Sequence, residues 1–220
     1  MPKESKESKL QRALMVAERM SEAYPDAQSA LEHFDAYSLL VAVILSAQTT
    51  DKAVNQVTPD LFKRWPDVPS LANASQQELA DVIKSIGFAQ VKAKHLVGAA
   101  QMMMSDFSGE VPASMADLTR LPGVGRKTAN IVSSLAFGVV EGIAVDTHVF
   151  RIATRLRFVG TKADTPDKVE TELMKLYPKE LWGDINRRWV LFGREFCIAR
   201  GPRCQICPLN NLCPSNHQQA

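Results

Sequence analysis

Apolar residues recur at intervals of three and four positions along most of this chain, with polar residues between them. This period places apolar side chains on one face of an α-helix, and neither a sustained two-residue alternation nor an Asn-Gly hairpin marks a strand. Residues 37–45 are apolar at nearly every position, so they fit a buried helix or, on the sequence alone, a buried strand. The predicted fold is all-α. The other predicted helices are 10–23, 51–65, 75–87, 91–104, 114–120, 127–137, 146–157, 166–177 and 181–194.

Short polar residues and glycines mark several of the predicted helix ends. Ser75 is followed three residues later by Glu78, which is the spacing of a capping box. Asp51 can cap the helix that runs toward residue 65. Gly87 predicts the carboxyl end of the helix that Ser75 opens.

The length of 220 residues suits one large domain or two small ones that share a core. No abrupt change in composition marks a boundary between two such parts. The first residues lack the apolar stretch of a signal peptide, and the longest apolar run, 39–45, is far shorter than the ~20 residues of a membrane span. The sequence therefore predicts a cytoplasmic protein without a membrane partner.

Basic residues cluster in two places, although the net charge is only +2. Residues 151–162 contain four basic residues and no acid, and the five arginines between 187 and 203 have Glu195 as the acid among them. Such clusters are candidates for binding the phosphates of a nucleic acid. A solvated helix face is the commoner explanation of any single cluster.

The sequence of residues 121–130 is LPGVGRKTAN, which predicts a glycine hairpin directly before a helix. Glycine permits a tight turn and a close approach, so the backbone N–H groups of such a hairpin can bind a phosphate. Lys127 lies in the first turn of that helix. Taken alone, it fits a phosphate contact or a solvated side chain.

Asp146 stands nineteen residues after Lys127, directly before a new helical pattern. An aspartate at this place fits a helix N-cap, or a carboxylate that accepts a proton from an amine and stabilises positive charge. The two roles coexist only if the carboxylate still faces the substrate. His148 fits a structural residue or a phosphate contact.

The four cysteines of the chain are Cys197, Cys204, Cys207 and Cys213. A disulfide framework is typical of small secreted domains, so metal ligation is the better interpretation here. Four thiolates at the spacing C-x6-C-x2-C-x5-C suit a [4Fe–4S] cluster or a structural zinc. Zinc ribbons usually have two C-x2-C pairs and this chain has one, which favours iron–sulfur.

Residues 121–130 and 145–151 resemble the hairpin and the acidic segment of the endonuclease III family, and the likeness extends from about Tyr37 through Cys213. The resemblance implies a helix-hairpin-helix DNA glycosylase fold, with two α-helical subdomains, a DNA-binding cleft between them and a carboxyl-terminal [4Fe–4S] loop. The implied ranges are a disordered tail at 1–9, a six-helix barrel subdomain at 28–139 with the helix-hairpin-helix at about 114–137, and a second subdomain of 10–27 plus 140–220 with the cluster loop at 197–213.

The resemblance also implies an activity in base excision repair. It identifies Lys127 as the nucleophile and Asp146 as the second catalytic residue of a bifunctional DNA N-glycosylase and abasic-site lyase. Such an enzyme removes oxidised pyrimidines such as thymine glycol and cleaves the abasic site by β-elimination through a lysine Schiff base. The implied partner is double-stranded DNA with damaged pyrimidines or abasic sites, the implied cofactor is a [4Fe–4S] cluster, and the implied form is a monomer, associated with the nucleoid in a bacterium.

Two loops match those with which the family opens the duplex, because a stacked base must be extruded before its sugar is attacked. Gln48 matches a glutamine that fills the vacated space, and Phe88 matches more loosely an apolar wedge that is often leucine. Phe88 also fits a buried residue just past a helix end, and Lys92 and Lys94 fit phosphate contacts or a solvated face. The expected DNA contacts are Gln48, Phe88, Lys92, Lys94, Gly123, Val124, Gly125, Arg126, Thr128, His148, Arg151, Arg200 and Arg203.

Two other functions fit parts of the sequence. A monofunctional mismatch glycosylase would share the hairpin and the cysteines, but such relatives generally lack the hairpin lysine that Lys127 matches. A DNA-binding module with a structural metal would need neither Lys127 nor Asp146. The pair therefore favours the bifunctional enzyme.

Overall fold

The computed structural model describes residues 4–216, and this part of the chain contains helices and no strands. The prediction of an all-α fold is confirmed. The α-helices are α1 (Lys6–Ala23), α2 (Ala36–Leu45), α3 (Asp51–Arg64), α4 (Val68–Ala72), α5 (Gln76–Val82), α6 (Ala89–Asp106), α7 (Met115–Leu118), α8 (Arg126–Phe137), α9 (Thr147–Arg155), α10 (Pro166–Leu176) and α11 (Trp182–Glu195). Short 3-10 turns at Lys179–Leu181, Cys204–Ile206 and Asn210–Leu212 complete the regular structure of the described residues.

The chain divides into two compact units. One unit is Ser29–Glu141, and the other combines the described residues of Met1–Gln28 with those of Gly142–Ala220. The chain passes between the units after Gln28 and after Glu141, where the resemblance placed the boundaries after residues 27 and 139. The second unit is therefore built from two segments that are distant in the sequence.

The Ser29–Glu141 unit has α2 at the centre of its core. Nine of the ten residues of α2 are buried, and α3, α6 and α8 pack against it. Asp35 and Ser38 form a capping box at its start. A helix that is covered on every side must be apolar on every side, so the alternative of a buried strand for residues 37–45 was wrong.

The discontinuous unit encloses a core between α1, α9, α10 and α11. Trp189 of α11 lies at its centre with the rings of Phe158 and Tyr177, whose centroids are 6.5 and 6.3 Å from that of Trp189. Arg12 of α1 stacks on the Phe158 ring and donates hydrogen bonds to the backbone oxygens of Leu156 (2.8 Å) and Leu212 (3.2 Å). The amino-terminal helix is thus held by the carboxyl-terminal half of the chain.

The first helix begins earlier than the sequence predicts. Residues 6–9, expected in a disordered tail, form the first turn of α1, while residues 1–3 of that expected tail lie outside the described residues. The Ser5 side chain accepts a hydrogen bond from the Ser8 N–H, and Glu4 pairs with Arg12 at 2.8 Å. An N-cap and an ion pair are sufficient to extend a polar helix by a turn.

Several other helix ends differ from the prediction, and α4 was not predicted. Thr50 rather than Asp51 caps α3, and its side chain accepts the Ala53 N–H. The helix after Ser75 ends at Val82, so Gly87 is not its carboxyl cap. Helix α6 begins at Ala89, because Phe88 turns the chain in a left-handed conformation directly before it.

Candidate functional site

The predicted glycine hairpin lies between α7 and α8 in the Ser29–Glu141 unit. The Val124 N–H donates to the Leu121 oxygen at 3.0 Å, and both side chains are buried. Gly123 has φ +80°, and a Cβ there would lie 2.8 Å from the Cβ of His95 in α6. Only glycine meets both conditions. The Val124 side chain is buried and its N–H is bonded within the turn, so this residue supports the hairpin from inside. Its predicted contact with DNA stays a prediction.

The hairpin leads directly into the amino-terminal end of α8. Gly125 is the N-cap residue and provides no side-chain hydrogen bond. The first N–H groups of an α-helix have no acceptor within the helix, and the helix dipole gives this end a positive potential. Arg126 and Lys127 are exposed in this turn, followed by the half-buried Thr128. The arrangement suits an anion and places a primary amine beside it.

Asp146 is the N-cap residue of α9 in the discontinuous unit. Its Oδ1 accepts the N–H groups of His148 and Val149, both at 2.8 Å. Both bonds use the same oxygen, so capping does not require Oδ2. The side chain is half-buried. The structure therefore shows the N-cap role that the sequence left open and leaves a second carboxylate oxygen for another role.

Arg151 and His148 form a hydrogen-bonded pair on α9. Nη2 of Arg151 lies 3.0 Å from Nδ1 of His148, and because a guanidinium only donates, Nδ1 accepts and the neutral ring carries its proton on Nε2. Burial lowers the pKa of His148, while the Asp146 carboxylate opposes that change. Arg151 also donates to the backbone oxygens of Gly193 (3.2 Å) and Cys197 (2.8 Å). Through these bonds Arg151 joins α9 to α11 and to the cysteine loop, and its predicted phosphate contact stays a prediction.

All four cysteines line one cavity of about 300 Å³, together with apolar side chains of α9 and α11. They are free thiols. Burial, reinforced by the charges of the neighbouring sulfurs, raises the pKa of Cys207 to about 11 and raises that of Cys213. In this buried environment a thiolate is stable only beside a cation, and a metal centre deprotonates the thiols that bind it. The donor set therefore fits a metal group.

The same four thiols are compatible with a cluster and with a zinc ion. Between residues 4 and 216, no group of three or more Cys, His, Asp or Glu side chains is placed to hold a metal ion. The preference for a [4Fe–4S] cluster therefore rests on the cysteine spacing and on the family resemblance.

Arg155, the last residue of α9, binds this loop, and the sequence analysis did not single it out. It donates to Cys197 Sγ at 3.3 Å and to the backbone oxygens of Ile198 and Ala199 at 2.8 and 2.9 Å. Arg155 belongs to the basic run 151–162, which was its signal in the sequence, but that run was interpreted as a cluster that binds phosphates. Arg200 and Arg203, on the same loop, are exposed as expected.

The two residues expected to fill an opened duplex are both exposed and both strained. Gln48 has φ +53° and Phe88 has φ +61°, a region that residues other than glycine seldom adopt. Phe88 is 64% exposed, so the alternative of a buried Phe88 was wrong. Strain of this kind persists where the surrounding structure fixes it, and it concentrates at functional sites.

The two lysines of α6 have different surroundings. Lys94 is exposed, as either a phosphate contact or a solvated face requires. Lys92 is buried, and its Nζ donates to the Leu45 oxygen at 2.8 Å and to Thr49 Oγ1 at 2.6 Å. The expected phosphate contact of Lys92 is therefore corrected, and so is the solvated alternative.

The chain is similar to known DNA repair proteins. Residues 41–179 match a family model described as HhH-GPD superfamily base excision DNA repair protein. The chain is 46% identical to endonuclease III of Synechocystis sp. over 208 residues, which cover 94% of each chain. It is 38% identical to that of Escherichia coli over 200 residues, 91% of this chain and 93% of the relative. The chain belongs to the endonuclease III family.

Solved structures of this family share the fold. A trapped covalent intermediate of endonuclease III with DNA superposes with a TM-score of 0.89 at 42% identity, covering 95% of this chain and 97% of that one. A thermostable thymine-DNA glycosylase superposes with a TM-score of 0.84 at 24% identity, which shows the fold alone.

Members of the endonuclease III family are DNA glycosylases and abasic-site lyases, and this chain is an enzyme of that class. Among the described residues, no helix is both long enough and apolar enough to span a membrane.

Proposed function

We propose that this protein removes oxidised pyrimidines such as thymine glycol from double-stranded DNA, as a monomer, and then cleaves the abasic site. The observation that carries the proposal is the exposed Lys127 in the first turn of α8, directly after a glycine hairpin whose helix N-terminus has no side-chain cap. A phosphate held at this end places the neighbouring sugar within reach of a primary amine. The related endonuclease III that was trapped as a covalent DNA intermediate supports the same chemistry.

The reaction begins with attack of the Lys127 amine on C1′ of the damaged nucleotide. The C1′–N bond breaks, and the base leaves with the bonding electrons and takes up a proton. The attacking nitrogen gives one proton to a base. The C1′–O4′ bond then opens, O4′ takes up a proton, and a protonated Schiff base forms between C1′ and the lysine nitrogen. Loss of a C2′ proton then expels the 3′ phosphate by β-elimination, and water releases the lysine from the imine.

Asp146 supplies the negative charge that this sequence needs. An ordinary lysine amine is an ammonium at neutral pH, so attack requires a group that takes its proton. The carboxylate is the proposed acceptor, and its charge also stabilises the positive character of the sugar as the base departs. Since capping uses only Oδ1, Oδ2 is the proposed reacting oxygen.

The remaining residues hold the DNA open and in place. Gln48 and Phe88 fill the space of the extruded nucleotide, where an aromatic ring replaces lost stacking. Lys94, Arg126, Thr128, Arg200 and Arg203 are the proposed phosphate contacts, together with the N–H groups at Gly123 and Gly125. The proposed contact of His148 is donation from Nε2, because Nδ1 is paired with Arg151.

Borohydride trapping on a duplex with one thymine glycol tests the proposal. We expect free base, a cleaved strand and a covalent adduct from the damaged duplex, and none of these from the undamaged duplex. Release of the base without an adduct would indicate a monofunctional glycosylase. Binding without either product would indicate a DNA-binding module.

The proposed cofactor is a [4Fe–4S] cluster held by Cys197, Cys204, Cys207 and Cys213. The cavity that these residues line and the raised thiol pKa values support it. When bound, the cluster supplies a rigid cross-link that holds Arg200 and Arg203 in place. We expect metal analysis of the purified protein to give about four iron atoms per chain. One zinc per chain with no iron would contradict the assignment.

A further inference from the structure

Lys92 connects parts of the Ser29–Glu141 unit that are far apart in the sequence. It lies in the first turns of α6, and its backbone N–H donates to the Phe88 oxygen at 2.9 Å. Its side chain is only 4% exposed and reaches across to the end of α2 and to the loop that follows. There Nζ donates to the Leu45 oxygen at 2.8 Å and to Thr49 Oγ1 at 2.6 Å.

Both acceptors suit an ammonium at this position. Leu45 is the last residue of α2. The carbonyls in the last turn of a helix have no N–H donor within that helix, and they lie at the negative end of the helix dipole. Thr49 directly follows Gln48. One buried ammonium therefore joins the turn of Phe88 to the loop of Gln48.

The residues beside these bonds are Gln48 and Phe88, two of the four non-glycine residues with a positive φ in the described part of the chain. Gln48 and Phe88 both have left-handed backbones, with φ +53° and +61°, and both side chains are exposed. A conformation of this kind is kept only where neighbouring contacts determine it. Lys92 makes such contacts next to each of them and cannot reach solvent to bind DNA itself.

We propose that Lys92 is a positioning residue that helps to open the duplex. It fixes Gln48 and Phe88 relative to each other, so that both side chains enter the space of the extruded nucleotide. The inference rests on the proposed function. Lys92 acts through these two side chains and touches neither the DNA nor the reacting atoms. Its contribution is therefore confined to substrates that must first be opened.

Lys92→Met separates this role from general destabilisation. Methionine has a similar length and suits a buried site, but it cannot donate. Single-turnover base release is measured on thymine glycol paired with adenine, and on the same lesion in a bulge with no opposing nucleotide. We expect the rate relative to wild type to fall at least tenfold on the paired duplex and less than threefold on the bulge.

Two further variants keep the test decisive. Thr49→Val removes one acceptor without changing the side-chain shape, so we expect a several-fold loss on the paired duplex alone, even if Lys92→Met does not fold. The double variant Lys92→Met/Thr49→Val should release the base from the paired duplex no more slowly than Lys92→Met alone, because the two substitutions remove the same hydrogen-bonded connection. Lys63→Met removes a lysine that is exposed at the end of α3 and should match wild type on both substrates.

The outcomes distinguish this inference from the function on which it rests. If wild-type protein acts on neither substrate, the proposed function fails. If wild type acts on both and the Lys92 and Thr49 variants slow both substrates equally, or slow neither, the function stands and the positioning role is overturned.

Discussion

Lys127→Ala is expected to eliminate the borohydride adduct and to lower single-turnover base release from thymine glycol DNA by about 10³-fold or more. The amine of Lys127 forms the bond to C1′ in the proposed reaction, so its removal deletes the covalent route entirely. Lys127 is an exposed residue in the first turn of α8. Its loss should therefore change the thermal midpoint of unfolding little.

Lys127→Arg is the control for charge. It keeps a cation at the helix N-terminus but lacks a nucleophilic amine, because a guanidinium stays protonated. We expect its affinity for an abasic-site duplex to stay within a few-fold of wild type, with no adduct. An adduct in either variant would place the Schiff base on another amine.

Asp146→Asn is expected to lower base release by about 10²–10⁴-fold while leaving the fold intact. Asparagine caps a helix about as well as aspartate, so it can still accept the N–H groups of His148 and Val149. It carries no charge and cannot take a proton from an amine. The measurement is the single-turnover rate together with the thermal midpoint of unfolding.

Asp146→Ala removes both roles and provides the comparison. Loss of an N-cap costs about 0.5–2 kcal/mol, which corresponds to a fall in the thermal midpoint of roughly 1–8 °C for a chain of this length. We expect this fall in the alanine variant and not in the asparagine variant, with activity low in both. Full activity of Asp146→Asn would show that Asp146 serves the helix alone.

The helical periodicity of the sequence predicts that Lys92 is buried. Lys92 precedes Leu96, Ala99 and Met103 at intervals of four, three and four residues, which places it on the buried face of α6. Lys94, two positions on, turns about 200° away from that face and is exposed. Periodicity alone would have separated the two lysines, although it could not have named Leu45 and Thr49 as partners.

Contacts over long sequence distances explain the rest of what the sequence could not predict. Arg151 looks like a phosphate ligand in the sequence, and the oxygens that bind it belong to residues 193 and 197. The left-handed turn at Phe88 lies directly before α6, and a phenylalanine gives no signal of a positive φ in the sequence. Local patterns predicted every α-helix except α4, together with the glycine hairpin, because each depends on neighbouring residues.

The discontinuous unit has a consequence for the order in which the protein is made. Helix α1 buries Ala13, Val16 and Met20 and packs against α11, which begins at Trp182. At about 5–20 residues per second, a ribosome needs roughly 8–32 s to travel from the end of one helix to the start of the other. All residues of the Ser29–Glu141 core emerge within that interval. Helix α1 is therefore synthesised well before the helix against which it packs, and most of its surface is polar.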